Sequence, residues 1–293
     1  MTDQLGRVAV LGAGTMGRGI AQLCASRKID TRLYDVAQGQ LDAAMAGVGK
    51  QLDRRVDKGR IDQSERDSTF SRIKPTAALA DACRDAELVI EAAPESMELK
   101  VSLLGEVLEL LPDSALVGSN TSSLSLTELG QRLGIAERTV GLHFFNPPPV
   151  MPLLEIVRGL GTAEATVERA LVFAQQIGKE PIVVNDFPGF ASSRLGVALG
   201  AEAMRMLESG VARAVDIDRA MELGYRHPMG PLKLTDLVGL DVRLAILEHL
   251  QREIGEQFRP PTILRQMVRA GRLGKKVGLG FYRWTDQGPV PAE

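Results

Sequence analysis

"RVAVLGAGTMGRGIAQLCAS", residues 7–26, decides the fold. Residues 8–11 form a short β-branched and apolar run, the composition of a strand buried in a parallel sheet. Three glycines follow with the spacing GxGxxG: Gly12, Gly14 and Gly17. From Met16 onward the apolar residues take helical spacing, with Ile20, Leu23 and Cys24 on one face. The glycine pattern alone is a weak signal. Here it closes a strand, opens a helix, and is followed by an acidic residue, Asp35, at the end of the next short strand, "TRLYD". That context specifies a dinucleotide site. Gly12 permits the tight turn, Gly14 lets a pyrophosphate approach the backbone, and Gly17 lets the helix pack on the sheet. The N–H groups at the helix start, with its dipole, favour the phosphates. Asp35 accepts from the adenosine ribose hydroxyls and repels a 2′-phosphate, which favours NAD over NADP; Arg18 and Arg32 are close enough to soften that preference. The plainer alternative is a glycine turn with nothing bound.

Outward from this segment, strands and helices alternate. Residues 37–73 are amphipathic and include the highly charged "LDRRVDKGRIDQSERD", which reads as solvated helices. "AELVIEAAPE" is a buried strand ending in a carboxylate loop, followed by a helix over 97–110 that Pro112 and Asp113 close. "ALVGSNTSS" is a further strand with a polar loop. "RTVGLHFFNP" and "LLEIVR" are two strands around a proline-rich turn, a helix spans 163–177, and "EPIVVND" is the last strand. Beyond Phe187-Pro188-Gly189 no strong strand signal returns, and the remaining segments carry helical periodicity, several stopping at glycine. The expected fold is α/β: a Rossmann-type, mostly parallel sheet domain over 1–186, followed by an all-helical C-terminal domain over 187–293. No repeat or low-complexity segment interrupts it.

Composition sets outer limits. A chain of 293 residues fits two domains or one large one. Its 44% hydrophobic and 25% charged residues are an ordinary globular mixture. A net charge of −2 gives no field that would favour nucleic acid or an anionic membrane, and 4% aromatics argues against base-stacking platforms. The two cysteines, Cys24 and Cys83, lack CxxC or zinc spacing, and Cys24 reads as a small buried side chain. The N-terminus has no basic-then-apolar signal pattern, and no apolar run is long enough to span a bilayer. A reduced, cytoplasmic protein is expected. His227 and His249 fall in separate helical segments without HExxH or clustered carboxylates, so no metal is expected. His227 precedes Pro228 at a turn, and His249 is expected on a helix near a surface.

The third histidine lies in "GLHFFNPPPVMPLLEIV", residues 141–157. His143 falls near the end of a strand, where sites in open α/β sheets gather. Glu155 lies in the next strand, and 146–152 form the turn between them. If the two strands pair antiparallel around that turn, His143 and Glu155 come level, with the carboxylate on the face opposite to Leu154 and Ile156. A carboxylate beside an imidazole fixes its tautomer and stabilises its protonated form. Such a pair can take a proton from an alcohol while hydride leaves the same carbon. The competing reading is a core histidine satisfied by a carbonyl, with Glu155 on a solvated strand face; the prolines weigh against it, because a fixed turn preorganises the two groups. Ser122, in "SNTSSL", is open in the same way. Local sequence alone favours Ser122 or Ser123 as N-cap of a helix starting at Leu124; the functional alternative is that Ser122 holds a substrate oxygen beside His143.

"GAGTMG", "EAAPE", "SNTSSL", "GLHFFNPPPVMPLLEIV", "DFPGF" and "HPMGPLKLTDLVGLD" follow one another in the order found in L-3-hydroxyacyl-CoA dehydrogenases, and the closing "GRLGKKVGLGFY" also fits. Over nearly its whole length the chain resembles that family in its single-function, 3-hydroxybutyryl-CoA dehydrogenase form without a fused hydratase. The resemblance implies reversible, NAD-dependent oxidation of (S)-3-hydroxyacyl-CoA to 3-ketoacyl-CoA. It implies His143 as general acid/base, Glu155 as its partner, and Ser122 at the 3-oxygen of the substrate. Glu95 and Lys100, in "PESMELK", are implied to contact the NAD ribose and nicotinamide side; Asn146 is implied near the nicotinamide, and Met16 and Asn120 are further cofactor contacts. Lys58, in "VDKGRI", is implied to meet the CoA phosphates, although one more solvated lysine is its plain reading. The 187–293 domain is implied to bind acyl-CoA substrate and to join a homodimer. One position departs from the family: Ser193 stands in "GFASSRLG" where an asparagine that holds the acyl portion is usual. Ser193 is shorter, with one hydroxyl in place of an amide, and takes over that contact directly or through water, or the substrate sits differently. Two other functions compete: a dehydrogenase of a free hydroxy acid or sugar acid, of the L-gulonate 3-dehydrogenase kind, and a non-catalytic NAD-binding structural protein. Intact His143, Glu155 and Ser122 argue against the second.

Overall fold

The computed structural model describes residues 4–292, in two compact units divided in sequence between Phe187 and Pro188. Among the described residues no helix is long and apolar enough to cross a membrane.

In the first unit strands alternate with helices. They are β1 (Arg7–Leu11), α1 (Thr15–Ser26), β2 (Asp30–Tyr34), α2 (Gln38–Asp57), α3 (Gln63–Arg72), β3 (Ile73–Thr76), α4 (Leu79–Cys83), β4 (Leu88–Glu91), α5 (Met97–Leu108), β5 (Leu116–Ser119), α6 (Leu126–Arg132), β6 (Thr139–Phe144), β7 (Leu153–Arg158), α7 (Glu164–Gln176) and β8 (Glu180–Asn185). The eight strands make one sheet in the order β3-β2-β1-β4-β5-β6-β7-β8. β1 to β6 run parallel, β7 returns antiparallel against β6, and β8 runs parallel to β7. β4 and β5 are buried along their whole length, as parallel strands covered on both faces must be. Ile20 and Leu23 of α1, Leu41 and Val48 of α2, and Phe173 of α7 join Val8, Val10, Leu33 and Ile90 in one core. Cys24 is fully buried there, and burial pushes its thiol up to about 12. The strand order reverses beside β1, which opens a crevice at the carboxyl ends of β1 and β4.

One strand differs from the sequence reading. The helical stretch ends at Arg72, and the chain then adds β3 as an edge strand on β2. Only Ile73 of its four residues is buried, so no alternation marks it, and a sheet edge tolerates Pro75.

The second unit holds α8 (Ser192–Glu208), α9 (Ala214–Gly224), α10 (Pro231–Val238), α11 (Leu240–Glu253) and α12 (Thr262–Arg269) around Val197, Met204, Leu232, Leu247 and Leu264. It is helical but not all-helical. β9 (Tyr282–Thr285) and β10 (Gly288–Pro291) close it as an antiparallel hairpin. Two prolines in β10 and the shortness of both strands hide this hairpin in the sequence. A distant residue fixes it: Asp236 of α10 accepts from Phe281 N at 2.9 Å and Tyr282 N at 2.8 Å.

Candidate active site

Because β1, β4, β5 and β6 are parallel, Gly12, Glu91, Asn120 and His143 arrive at one edge of the sheet. Hydrogen bonds stitch that edge together. Ala92 N donates to Leu11 O and Asn120 N to Glu91 O, each at 2.7 Å. Backbone pairing of β5 with β6 ends at Ser119 and Gly141; beyond it, Asn120 Oδ1 accepts from Phe144 N at 3.0 Å. The Asn120 side chain thus stands in for a missing rung next to His143.

The dinucleotide half is built around the glycines. Gly12 has φ +103°, and a Cβ there would lie 2.7 Å from Ala92 O. A Cβ on Gly17 would lie 1.7 Å from Gly12 O, so α1 sits directly on its own loop. At Gly14 an added Cβ would meet nothing within 4 Å, so this glycine faces open space. α1 starts without a side-chain cap, which leaves its first N–H groups for an anion. Asp35 accepts from Ala13 N at 2.9 Å and Ala37 N at 3.0 Å. It borders a cavity of about 520 Å³, lined also by Gly12, Gly14, Val36, Pro94 and Leu103. Val36 is 80% exposed, an uncovered apolar wall beside a carboxylate. Apolar wall, carboxylate and amides fit the adenine, ribose and phosphates of NAD respectively. Met16 packs on the core just behind the loop. Arg32 is paired with Asp30 at 3.8 Å, and Arg18 packs against Gly47 of α2.

Glu91, at the end of β4, is a site residue that sequence reasoning passed over. It is fully buried, accepts from Ala93 N at 2.6 Å and Ser119 Oγ at 2.6 Å, and pairs with Lys100 Nζ at 2.7 Å. Lys100 is 1% exposed; its ammonium is engaged inside the protein, with Glu95 Oε2 at 3.3 Å. The signal for Glu91 was a charged residue closing an otherwise apolar strand. Glu95 in turn organises the loop after β5. Its Oε1 accepts from Thr121 Oγ1 at 2.6 Å, Ser122 N at 2.9 Å and Ser123 N at 3.1 Å. Burial works to raise the Glu95 carboxyl, but the Lys100 charge and these hydrogen bonds outweigh it and hold it below the ordinary range. The serine cap expected at Leu124 lies elsewhere. α6 begins at Leu126 and Ser125 caps it, accepting from Glu128 N at 3.1 Å. The Ser122 hydroxyl is 3.4 Å from Glu95 Oε1 and exposed.

His143 and Glu155 are register partners in the antiparallel β6–β7 pair. His143 Nδ1 lies 2.6 Å from Glu155 Oε2; the glutamate is fully buried and the histidine 7% exposed. An ionised carboxylate can only accept, so with Glu155 in that form the shared proton belongs on Nδ1 and Nε2 is left as the basic nitrogen. Phe145 packs on the imidazole, ring centroids 4.7 Å apart. The β6–β7 pairing carries the imidazole and carboxylate into contact, and Glu155 lies on a buried strand face, not on the solvated face of the competing reading. Asn146 follows, exposed, at the start of the proline turn. Lys58 is exposed at the end of α2. Ser193 is half-buried in the first turn of α8, in the second unit. His227 lies after α9, and His249 is half-buried on α11.

Known proteins match this arrangement along the chain. Residues 7–187 match the 3-hydroxyacyl-CoA dehydrogenase NAD binding domain and residues 189–284 the 3-hydroxyacyl-CoA dehydrogenase C-terminal domain. A probable 3-hydroxybutyryl-CoA dehydrogenase of Bacillus subtilis is 40% identical over 97% of this chain and 99% of its own length. A 3-hydroxyadipyl-CoA dehydrogenase of Escherichia coli is 40% identical over 94% of this chain and 58% of its own. The crystal structure of (S)-3-hydroxybutyryl-CoA dehydrogenase PaaH1 from Ralstonia eutropha superposes with a TM-score of 0.92 at 38% identity, covering 97% of this chain and all of that one.

Proposed function

The chain belongs to the 3-hydroxyacyl-CoA dehydrogenase family, and from that premise we propose how its residues share the reaction. It is an NAD-dependent oxidoreductase that converts the 3-hydroxyl of a 3-hydroxyacyl-CoA to the 3-keto group, reversibly; a short chain such as (S)-3-hydroxybutyryl is the substrate we assign. NAD, when bound, supplies the hydride acceptor. Gly12, Gly14, Met16, Gly17 and Asp35 hold its adenosine and phosphates, and Asn120 and Asn146 serve its nicotinamide end. Glu95 and Lys100 act together there, Lys100 pairing with Glu91 and favouring the ionised form of Glu95 beneath the site.

His143 removes the proton from the substrate hydroxyl, and Glu155 stabilises the imidazolium that results. In the reverse direction the imidazolium returns that proton to the developing alkoxide. The Ser122 hydroxyl bonds the same oxygen. Lys58 meets the CoA phosphates and Ser193 the acyl chain. We place the enzyme in the cytoplasm, as a homodimer joined through its helical unit.

The buried 2.6 Å contact between His143 Nδ1 and Glu155 Oε2 carries this reading. The test is NADH oxidation with acetoacetyl-CoA beside free acetoacetate. A strong preference in kcat/KM for the thioester is expected; equal or better turnover of the free acid would overturn the substrate assignment in favour of a hydroxy-acid dehydrogenase.

A further inference from the structure

The turn that joins β6 to β7 can satisfy little of its own backbone. Residues 147, 148, 149 and 152 are prolines and carry no N–H. Within 147–152 the two donors, Val150 N and Met151 N, both go to Pro147 O, at 2.9 and 3.1 Å. Glu180 N takes Pro152 O at 2.9 Å. Among the carbonyls that remain are those of Pro148 and Met151, and Pro148 is buried. A carbonyl in that position needs a donor, or the turn shifts to find one.

Both carbonyls accept from the same group, Lys179 Nζ. Lys179 directly precedes β8 and is 7% exposed. Among the described residues it makes no ion pair with a carboxylate. Burial pushes its ammonium below the ordinary lysine range, and the Arg27 charge acts in the same direction. Among the described residues this buried group therefore has no counter-ion, only two carbonyls of one turn. Pro148 also connects the turn to the dinucleotide half: a Cβ on Gly19 of α1 would lie 2.7 Å from Pro148 Cδ. The ring of Pro148 thus rests on the helix that opens at the glycine loop, and Lys179 secures the carbonyl behind it.

We propose that Lys179 is a positioning residue for the dehydrogenase reaction. Its ammonium fixes the proline turn, so that His143 and Glu155 stay level and Asn146 keeps its place relative to α1. This rests on His143 and Glu155 acting as proposed above.

The test is a double-mutant cycle between Lys179→Met and His143→Gln, reading kcat for acetoacetyl-CoA reduction and KM for NADH. Gln176→Met serves as a matched structural loss: Gln176 exchanges two hydrogen bonds with the backbone of Leu5, and among the described residues neither goes to the turn. Lys179→Met should lower kcat by about 10²-fold, the scale of a misplaced catalytic group. KM for NADH should stay within about twofold, and Gln176→Met should leave kcat near wild type. In the His143→Gln background the Lys179 substitution should cost little more, because the group it positions is gone. Lys179→Gln, which keeps two N–H donors on a shorter arm, should show a smaller loss along the same line and carries the cycle if the methionine variant does not fold. A Lys179 variant at wild-type kcat, or one whose loss is the same in both backgrounds, overturns the positioning role alone. Wild-type kcat in His143→Gln overturns the assignment of the site and this role with it.

Discussion

In the sheet unit the buried acids Glu91 and Glu155 stand at or near strand ends, one against an ammonium and one against an imidazole. In the helical unit the buried acids Asp218 and Asp236 stand among backbone N–H groups. Asp236 accepts from Phe281 N, Tyr282 N and, at 3.0 Å, Trp284 Nε1. Asp218 accepts from Leu232 N at 2.7 Å, Lys233 N at 3.0 Å and Tyr282 Oη at 2.8 Å. Glycines let the chain close around both: a Cβ on Gly280 would lie 2.1 Å from Asp236 Oδ1, and one on Gly230 2.2 Å from the Cβ of Asp218. An acid used up by its own backbone has nothing left to offer a substrate, so the second network holds a fold together. An acid that braces a titratable group at the edge of a sheet has chemistry to pass on. The blocks "HPMGP" and "GLGFY" belong to the network that holds the fold together, although in sequence they look as motif-like as "HFFNP".

The sharpest way to break this contrast is His143→Gln. Removing a positioned acid/base should lower kcat by about 10²–10⁴-fold. The thermal midpoint and NADH binding should be nearly unchanged; a large fall in the midpoint would make the sheet network structural as well. Asp236→Ala should do the opposite. It orphans three donors at a cost of about 1–3 kcal/mol each, so urea unfolding should show a loss of at least about 3 kcal/mol, while kcat of the folded protein stays close to wild type. A kcat loss matching the His143 variant would erase the distinction between the two units.

What could be read in advance follows the range of the interactions. β1, the glycine loop and Asp35 announce themselves within 30 residues, because turn, helix start and acceptor are consecutive. His143 and Glu155 were legible because a short turn fixes the register across twelve residues. Glu91 was not, since its meaning depends on Lys100 across a loop and on Ser119 from a neighbouring strand. Lys179 was not, because the carbonyls it serves lie 28 and 31 residues away. β3 and the β9–β10 hairpin escaped for a related reason: a short strand with exposed or proline positions takes its pairing from a neighbour, not from its own alternation.

The smallest predicted effect concerns the sign of a pH slope. Glu95 is held below its ordinary value of 4.5, so its contribution to stability is present above that value and is lost as pH falls through the lower folded value. Asp236 is the reverse. Burial pushes it above 3.8, over the lowering by its three hydrogen bonds. Its contribution is fully present below the ordinary aspartate value and declines as pH rises through the folded one. The gap in thermal midpoint between wild type and Glu95→Gln should therefore hold from pH 7 down to the ordinary glutamate value and shrink as pH falls below it, while the gap for Asp236→Asn should widen as pH falls through its raised folded value. The Glu95 effect is the weaker, because its side chain is 37% exposed and solvent screens its pairing. Melting curves of the three proteins at half-unit pH steps check this. Two gaps that move in the same direction would mean that the sheet-edge carboxylate and the helical-unit carboxylate are burdened by burial alike, and that partners at the strand ends do not offset that burden.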